Sequence, residues 1–188
     1  MSRSFECYLI PLKDLLEFYG SRDSVKVEQI MSHISGNPAF QFFTMEGGGD
    51  FAPAIRALAE GNVEGQDPEH VLIGLRAYCY TFGDEQDNDL LSDVSSDLIE
   101  ELGHSAGLLF FRGSPVSFGT SSREHAFGSL AMGYLAHEEV SAALEELNRI
   151  FEDFPHGGDG EVMETIQTVL GWYEAAQGAK QDLVGFVL

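Results

Sequence analysis

The sequence has few basic residues and no long apolar run. Ten Lys and Arg residues stand against 31 Asp and Glu residues, which gives a formal net charge of −21. Nucleic-acid phosphates and anionic membrane surfaces repel such a chain, so we expect neither as a partner. The longest purely apolar run, Leu108 to Phe111, is far shorter than the ~20 residues that span a bilayer. The composition therefore predicts a soluble, cytoplasmic protein.

Cysteine is also scarce. The two cysteines, Cys7 and Cys79, fall on the apolar sides of a predicted strand and a predicted helix. This placement favours two buried, reduced thiols over a disulfide. With 188 residues, 44% of them hydrophobic and 14 of them Phe, the chain is long enough to build one sizeable core. We therefore expect residues 1–188 to form a single domain.

The apolar pattern alternates between the period of a strand and that of a helix. Asp23 and the pair Asp67-Pro68 are typical of helix beginnings. The strands are predicted at residues 4–10, 107–112, 130–135 and 183–188. The helices are predicted at 12–19, 24–31, 50–60, 68–82, 92–102, 140–154 and 162–173. Leu16 is expected on the apolar side of the first helix, and Phe82 on the inner face of the helix at 68–82. Because no regular strand–helix–strand rhythm appears, we predict an α+β fold with a small mixed sheet and about six to seven helices.

The negative charge is concentrated in two blocks. Residues 83–106 hold eight acidic and no basic side chains, and residues 137–164 hold nine acidic side chains against one Arg. These blocks are either solvated surface or a surface that steers a basic protein partner into contact. The residues predicted to bind that partner are Asp84, Glu85, Asp87, Asp89, Glu138, Glu139, Glu145 and Glu146.

No metal site or cofactor is predicted. From Asp84, the sixth residue of a calcium loop would be Asp89 and the twelfth Ser95, where an EF-hand needs Gly and Glu. No two of the six histidines lie three or four residues apart, and no cysteine has metal-ligand spacing. The three glycines at 47–49 lack the Lys that follows in a phosphate loop.

One motif resembles a catalytic one. Residues 103–107, with Ser105 at the centre, match the G-x-S-x-G nucleophile elbow. That elbow joins a strand to a helix, whereas here a predicted helix precedes Ser105 and a predicted strand follows it. A plain loop between helix and strand explains the small residues equally well. The one neutral-to-basic island, Arg112, Arg123 and His125, is the place where a small anionic ligand could bind.

Two stretches resemble a known family. Residues 134–140, YLAHEEV, are similar to the strand-to-helix junction of YfbM-like bacterial domains of unknown function, and residues 172–176 with 183–186 are similar to their closing helix and strand. The resemblance covers about a third of the chain and implies a compact α+β fold without an assigned activity. The sequence departs from the pattern at Ala136 and His137, where the family has Thr-Pro. By analogy, the resemblance favours a companion of a bacterial toxin.

Two function classes follow from the sequence. The first is a non-catalytic interaction module that binds a basic protein through its acidic surface, for example an immunity or inhibitor protein of a toxin. The alternative is a small-molecule-binding or hydrolytic domain that uses Ser105 or the region of Arg112 and His125. A purely structural subunit is a third possibility that the sequence leaves open.

Overall fold

The computed structural model describes residues 5–38, 40, 51–86, 131–153 and 160–187. These residues contain six helices and a four-stranded antiparallel sheet, so the α+β class is confirmed and the sheet is antiparallel rather than mixed. The strands are β1 (Phe5–Leu9), β2 (Asp84–Glu85), β3 (Ala131–Leu135) and β4 (Leu183–Val187). The helices are α1 (Leu12–Phe18), α2 (Ser24–Ile34), α3 (Ala52–Glu60), α4 (Pro68–Phe82), α5 (His137–Asp153) and α6 (Gly160–Ala179).

The chain divides into two compact units. Of the described residues, 5–12, 85–86, 131–153 and 160–187 form the sheet unit, and 13–38, 40 and 51–84 form the helical unit. The expectation that residues 1–188 form one domain stays a prediction. The strands predicted at 4–10, 130–135 and 183–188 are confirmed, whereas the strand at 107–112 and the helix at 92–102 lie outside the described residues.

In the sheet unit, α5 and α6 cover one face of the sheet, whose strand order is β2-β1-β4-β3. Cys7 of β1 pairs with Gly185 of β4, which in turn pairs with Gly133 of β3. Side chains on one strand alternate between the two faces, so these three positions share the face that also holds Leu9 and Leu183. The core between that face and the two helices contains Cys7, Leu9, Leu135, Val140, Leu144, Leu147, Ile166, Val169, Trp172, Tyr173 and Leu183.

Two helices of the helical unit, α2 and α4, begin where the sequence predicts. The Asp23 carboxylate accepts hydrogen bonds from the N–H groups of Val25 and Lys26, both 3.0 Å long, at the start of α2. The Asp67 carboxylate accepts from the N–H of Glu69 at 2.9 Å, with Pro68 as the first residue of α4. Helices α2, α3 and α4 pack against one another, and both caps are confirmed.

Three details of the helical unit differ from expectation. Helix α3 begins at Ala52 with Phe51 as its N-cap residue, rather than at Asp50. Leu16 is exposed and Phe18 is buried instead, because α1 is short and turns only one narrow side to the interior. Phe82, expected on the inner face of α4, is 38% exposed because it is the last residue of that helix.

Candidate functional site

The beginning of α5 is fixed by two carboxylates. Oδ1 of Asp182 accepts a hydrogen bond from the backbone N–H of His137 at 2.7 Å. Oε2 of Glu139 reaches back to the N–H of Ala136 at 3.2 Å, while the Glu139 N–H donates to the Ala136 carbonyl at 2.8 Å. Unpaired N–H groups at a helix start need such acceptors, and negative charge there is also favoured by the helix dipole. The direction of α5 is therefore set at its first turn.

The inner side of α5 fixes which side faces outwards. Val140, Leu144 and Leu147 are buried against α6 and the sheet. Between the two helices, Nε2 of Gln177 donates to Oγ of Ser141 at 3.1 Å. A helix held along its apolar stripe presents the opposite residues to solvent in a fixed order.

The outward side of α5 carries a regular row of carboxylates. Glu138, Glu145 and Glu152 are all exposed and lie seven residues apart, which is two turns or about 10 Å of helix rise. We name these three residues the α5 acidic face. The one cation on the outer side of α5, Arg149, bonds to Oε2 of Glu146 at 2.6 Å. Arg149 is therefore already engaged by Glu146 rather than by a member of the α5 acidic face.

The structure places the predicted partner-binding residues in different surroundings. Asp84 and Glu85 form β2 and are exposed. Glu138 and Glu145 belong to the α5 acidic face, whereas Glu139 is bound at the helix start. Asp87 and Asp89 lie outside the described residues. Glu152 was missed by the sequence analysis, although its seven-residue spacing from Glu145 was a signal that could have found it.

The candidates for small-ligand chemistry are not covered by the structure. Ser105, Arg112, Arg123 and His125 all lie outside the described residues, so the alternative that rests on them stays a prediction. Within the described residues, no group of three or more His, Cys, Asp or Glu side chains could hold a metal ion. No described helix is long and apolar enough to cross a bilayer.

A shallow groove lies on the helical unit between α2 and α4. Its volume is about 550 Å³, and it is lined by Gln29, Ser32, His33, Thr81 and Phe82. The groove combines the exposed ring of Phe82 with polar side chains.

Comparison with known proteins gives one positive result. A family model described as "Domain of unknown function (DUF7691)" matches residues 1–188, the full length of the chain. The chain belongs to the DUF7691 family. No curated protein and no solved structure matches it significantly. Family membership thus agrees with the expectation of an unknown-function domain, and it assigns no activity. It shows no link to the YfbM-like domains.

Burial favours the neutral forms of two side chains in this DUF7691 chain, Cys79 and Tyr78. Burial raises the pKa of the Cys79 thiol, which is fully buried and free. Burial, with the nearby Asp14 carboxylate as the next cause, raises the pKa of Tyr78 to about 12. A thiolate nucleophile needs a lowered pKa and an exposed sulfur, so Cys79 has the properties of a core residue.

One buried charge stands out in the helical unit of the DUF7691 chain. The guanidinium carbon of Arg76 lies 4.5 Å from the centre of the Phe40 ring, and only 3% of Arg76 is exposed. Stacking of a guanidinium on an aromatic face is a favourable cation–π contact when both groups are away from water. Arg76 is therefore a buried residue that stabilises the interior of the helical unit, not a surface cation.

Proposed function

We propose that the chain is a non-catalytic interaction module that binds a basic protein partner through its acidic surface. The observation that carries this proposal is the α5 acidic face: three exposed carboxylates in register on a helix whose opposite side is buried in a core. Asp84 and Glu85, which are exposed in β2, belong to the acidic block at residues 83–106. Asp87 and Asp89, which follow within four residues of Glu85, are also part of the proposed partner-binding surface.

The physical argument concerns association. Exposed charge pairs add little stability, so a row of like charges on a folded surface is not explained by the fold itself. Such a row attracts an oppositely charged patch, raises the association rate and selects against acidic partners. A rigid helix helps because its charges do not have to be ordered when the partner arrives.

An immunity or inhibitor protein of a toxin is the specific form of this proposal. It is supported by the resemblance of residues 134–140 and 172–186 to YfbM-like domains, which we keep as part of the proposal. A toxin that binds nucleic acid has a basic surface, and an acidic helix is a suitable cover for such a surface. The cytoplasm is the compartment in which we propose that this protection takes place.

A salt series tests the proposal. Lysate of the native cells is passed over immobilised protein at about 50 mM and about 500 mM salt, since screening shortens from roughly 14 Å to 4 Å over that range. We expect one stoichiometric basic protein at low salt, lost at high salt. Charge reversal by Glu145→Lys should weaken its capture. A partner whose capture is unaffected by salt and by this reversal would contradict the proposal.

A further inference from the structure

The groove between α2 and α4 holds an exposed aromatic ring at a fixed position. Phe82 is one of three exposed large hydrophobic side chains among the described residues. Its ring centre is 4.9 Å from that of Tyr78, and Nζ of Lys26 lies 5.7 Å from it. Tyr78 is itself immobilised, since it stacks on Phe18 at 4.7 Å and its hydroxyl donates to the Asp14 carbonyl at 3.0 Å. Phe82 therefore rests on buried, ordered groups.

Negative charge predominates around this groove. Lys26 is the cation that contacts Phe82. Asp14, Glu17 and Asp23 lie near enough to act electrostatically on Tyr78, the phenol that Lys26 touches at 3.4 Å. In addition, Glu28 adjoins the lining residue Gln29, and Asp84 follows Phe82 by two positions in the same unit.

We propose that this groove on the helical unit receives an aliphatic side chain from a basic amphipathic segment of the partner. The inference rests on the proposed function. It adds the location of a non-polar contact with the partner. Interfaces commonly place one aromatic anchor inside a polar rim, and the anchor supplies most of the affinity while the charges supply rate and selectivity. Phe82 is the anchor, and the carboxylates around it match basic residues that flank the aliphatic side chain.

Two peptides of equal charge, both with uncharged termini, serve as probes. One alternates pairs of Lys and Leu, and the other has Ser in place of every Leu. Burying one Leu side chain against the groove is worth about 1.4 kcal/mol, or a tenfold change in Kd. We therefore expect the Leu peptide to bind about tenfold more tightly than the Ser peptide at low salt, as measured by fluorescence anisotropy.

Two variants test whether the groove causes the difference in affinity between the two peptides. Phe82→Ser removes the ring, and Ser32→Gln fills part of the groove from an exposed position without a change of charge. In both variants the preference for the Leu peptide should disappear, while binding of the Ser peptide stays close to wild type. Thermal unfolding of Ser32→Gln checks that the result does not come from a folding defect, and little change is expected because Ser32 is exposed.

The outcomes separate the two proposals. Equal binding of both peptides to wild-type protein would overturn the groove inference and leave the acidic surface intact. A Leu preference that persists in both variants would also overturn it, because the apolar contact would lie elsewhere. If neither peptide binds at low salt, the proposed function fails together with the groove.

Discussion

The backbone N–H of His137 donates a 2.7 Å hydrogen bond to Oδ1 of Asp182, 45 residues later in the chain. Oδ2 of the same carboxylate accepts from the N–H of Leu12 at 2.6 Å. One side chain thus satisfies the first N–H of both α1 and α5. It supplies the cap that Ala136, as the residue before α5, cannot supply.

Removal of this carboxylate should destabilise the protein strongly. Asp182→Ala leaves two helix N–H groups without their charged acceptor, and each such bond contributes roughly 1.5 kcal/mol or more. We expect a loss of about 3 kcal/mol in the free energy of unfolding, measured by urea denaturation. Asp182→Asn should lose less because one oxygen acceptor remains. Glu174→Ala, an exposed change in α6, is the control and should stay within about 0.5 kcal/mol of wild type.

Gly61 should not tolerate a side chain. Its φ is +70°, and a Cβ at this position would lie 2.9 Å from the Cα of Gly20. Because left-handed strain costs roughly 1–2 kcal/mol and the clash is with backbone, Gly61→Ala should lose more than that. Gly65 has φ +79° with open space around its Cβ, so Gly65→Ala measures the strain alone. Equal losses in the two variants would show that the approach to Gly20 is not tight.

Two glycines inside helices should respond in opposite directions to Ala. In α4, a Cβ on Gly74 would lie 2.9 Å from Cδ1 of the fully buried Leu58 and 3.4 Å from Cγ1 of Ile55. Overpacking of this kind costs roughly 1–3 kcal/mol, so Gly74→Ala should lower the melting temperature. Gly171 of α6 is exposed and has no neighbour within 4 Å of its Cβ. Gly171→Ala should therefore raise stability by about 0.5–1 kcal/mol.

Because of Tyr78, the free energy of unfolding should depend on pH in the alkaline range. Its pKa is raised from 10.0 to about 12, so between these values the folded state holds a proton that the unfolded state has released. Stability should therefore fall as pH rises through this window, by up to about 3 kcal/mol from this group. Tyr78→Phe should flatten the alkaline part of the profile relative to wild type. An unchanged slope in Tyr78→Phe would contradict the assignment.

Both cysteines should be inert in the native protein. Cys7 and Cys79 are fully buried, neither is part of a disulfide, and burial raises the pKa of Cys79. The attacking species is the thiolate, so a disulfide reagent such as DTNB should react with neither thiol until the protein unfolds. In denaturant, two thiols per chain should react. Fast labelling of one thiol without denaturant would show that its unit opens locally.

Local signals predicted much of the fold. The caps Asp23 and Asp67 are read correctly from sequence because each acts on N–H groups within three residues of itself. Strands β1, β3 and β4 follow from alternation and apolar runs for the same reason. By contrast, the role of Asp182 at His137 is invisible in sequence because it depends on tertiary proximity.

The candidate site was predicted only in part. Charge counting located the α5 block, but only the structure distinguishes Glu145, which faces solvent, from Glu139, which binds the helix start. The exposure of Phe82 was misjudged because periodicity treats the last residue of a helix like any other. A hydrophobic pattern assigns a face to each residue, but it does not say whether a neighbouring element reaches far enough to cover it.

The most direct test of the central claim compares two variants of identical charge. The triple variant Glu138→Gln, Glu145→Gln, Glu152→Gln neutralises the α5 acidic face, and the triple variant Glu60→Gln, Glu64→Gln, Glu174→Gln removes as much charge from exposed positions elsewhere. Capture of the basic partner is measured for both over a salt series. The account predicts that the α5 variant loses most of the capture and its salt dependence, while the other variant binds like wild type. If the two variants bind alike, net charge alone governs association and the α5 acidic face is not the binding surface.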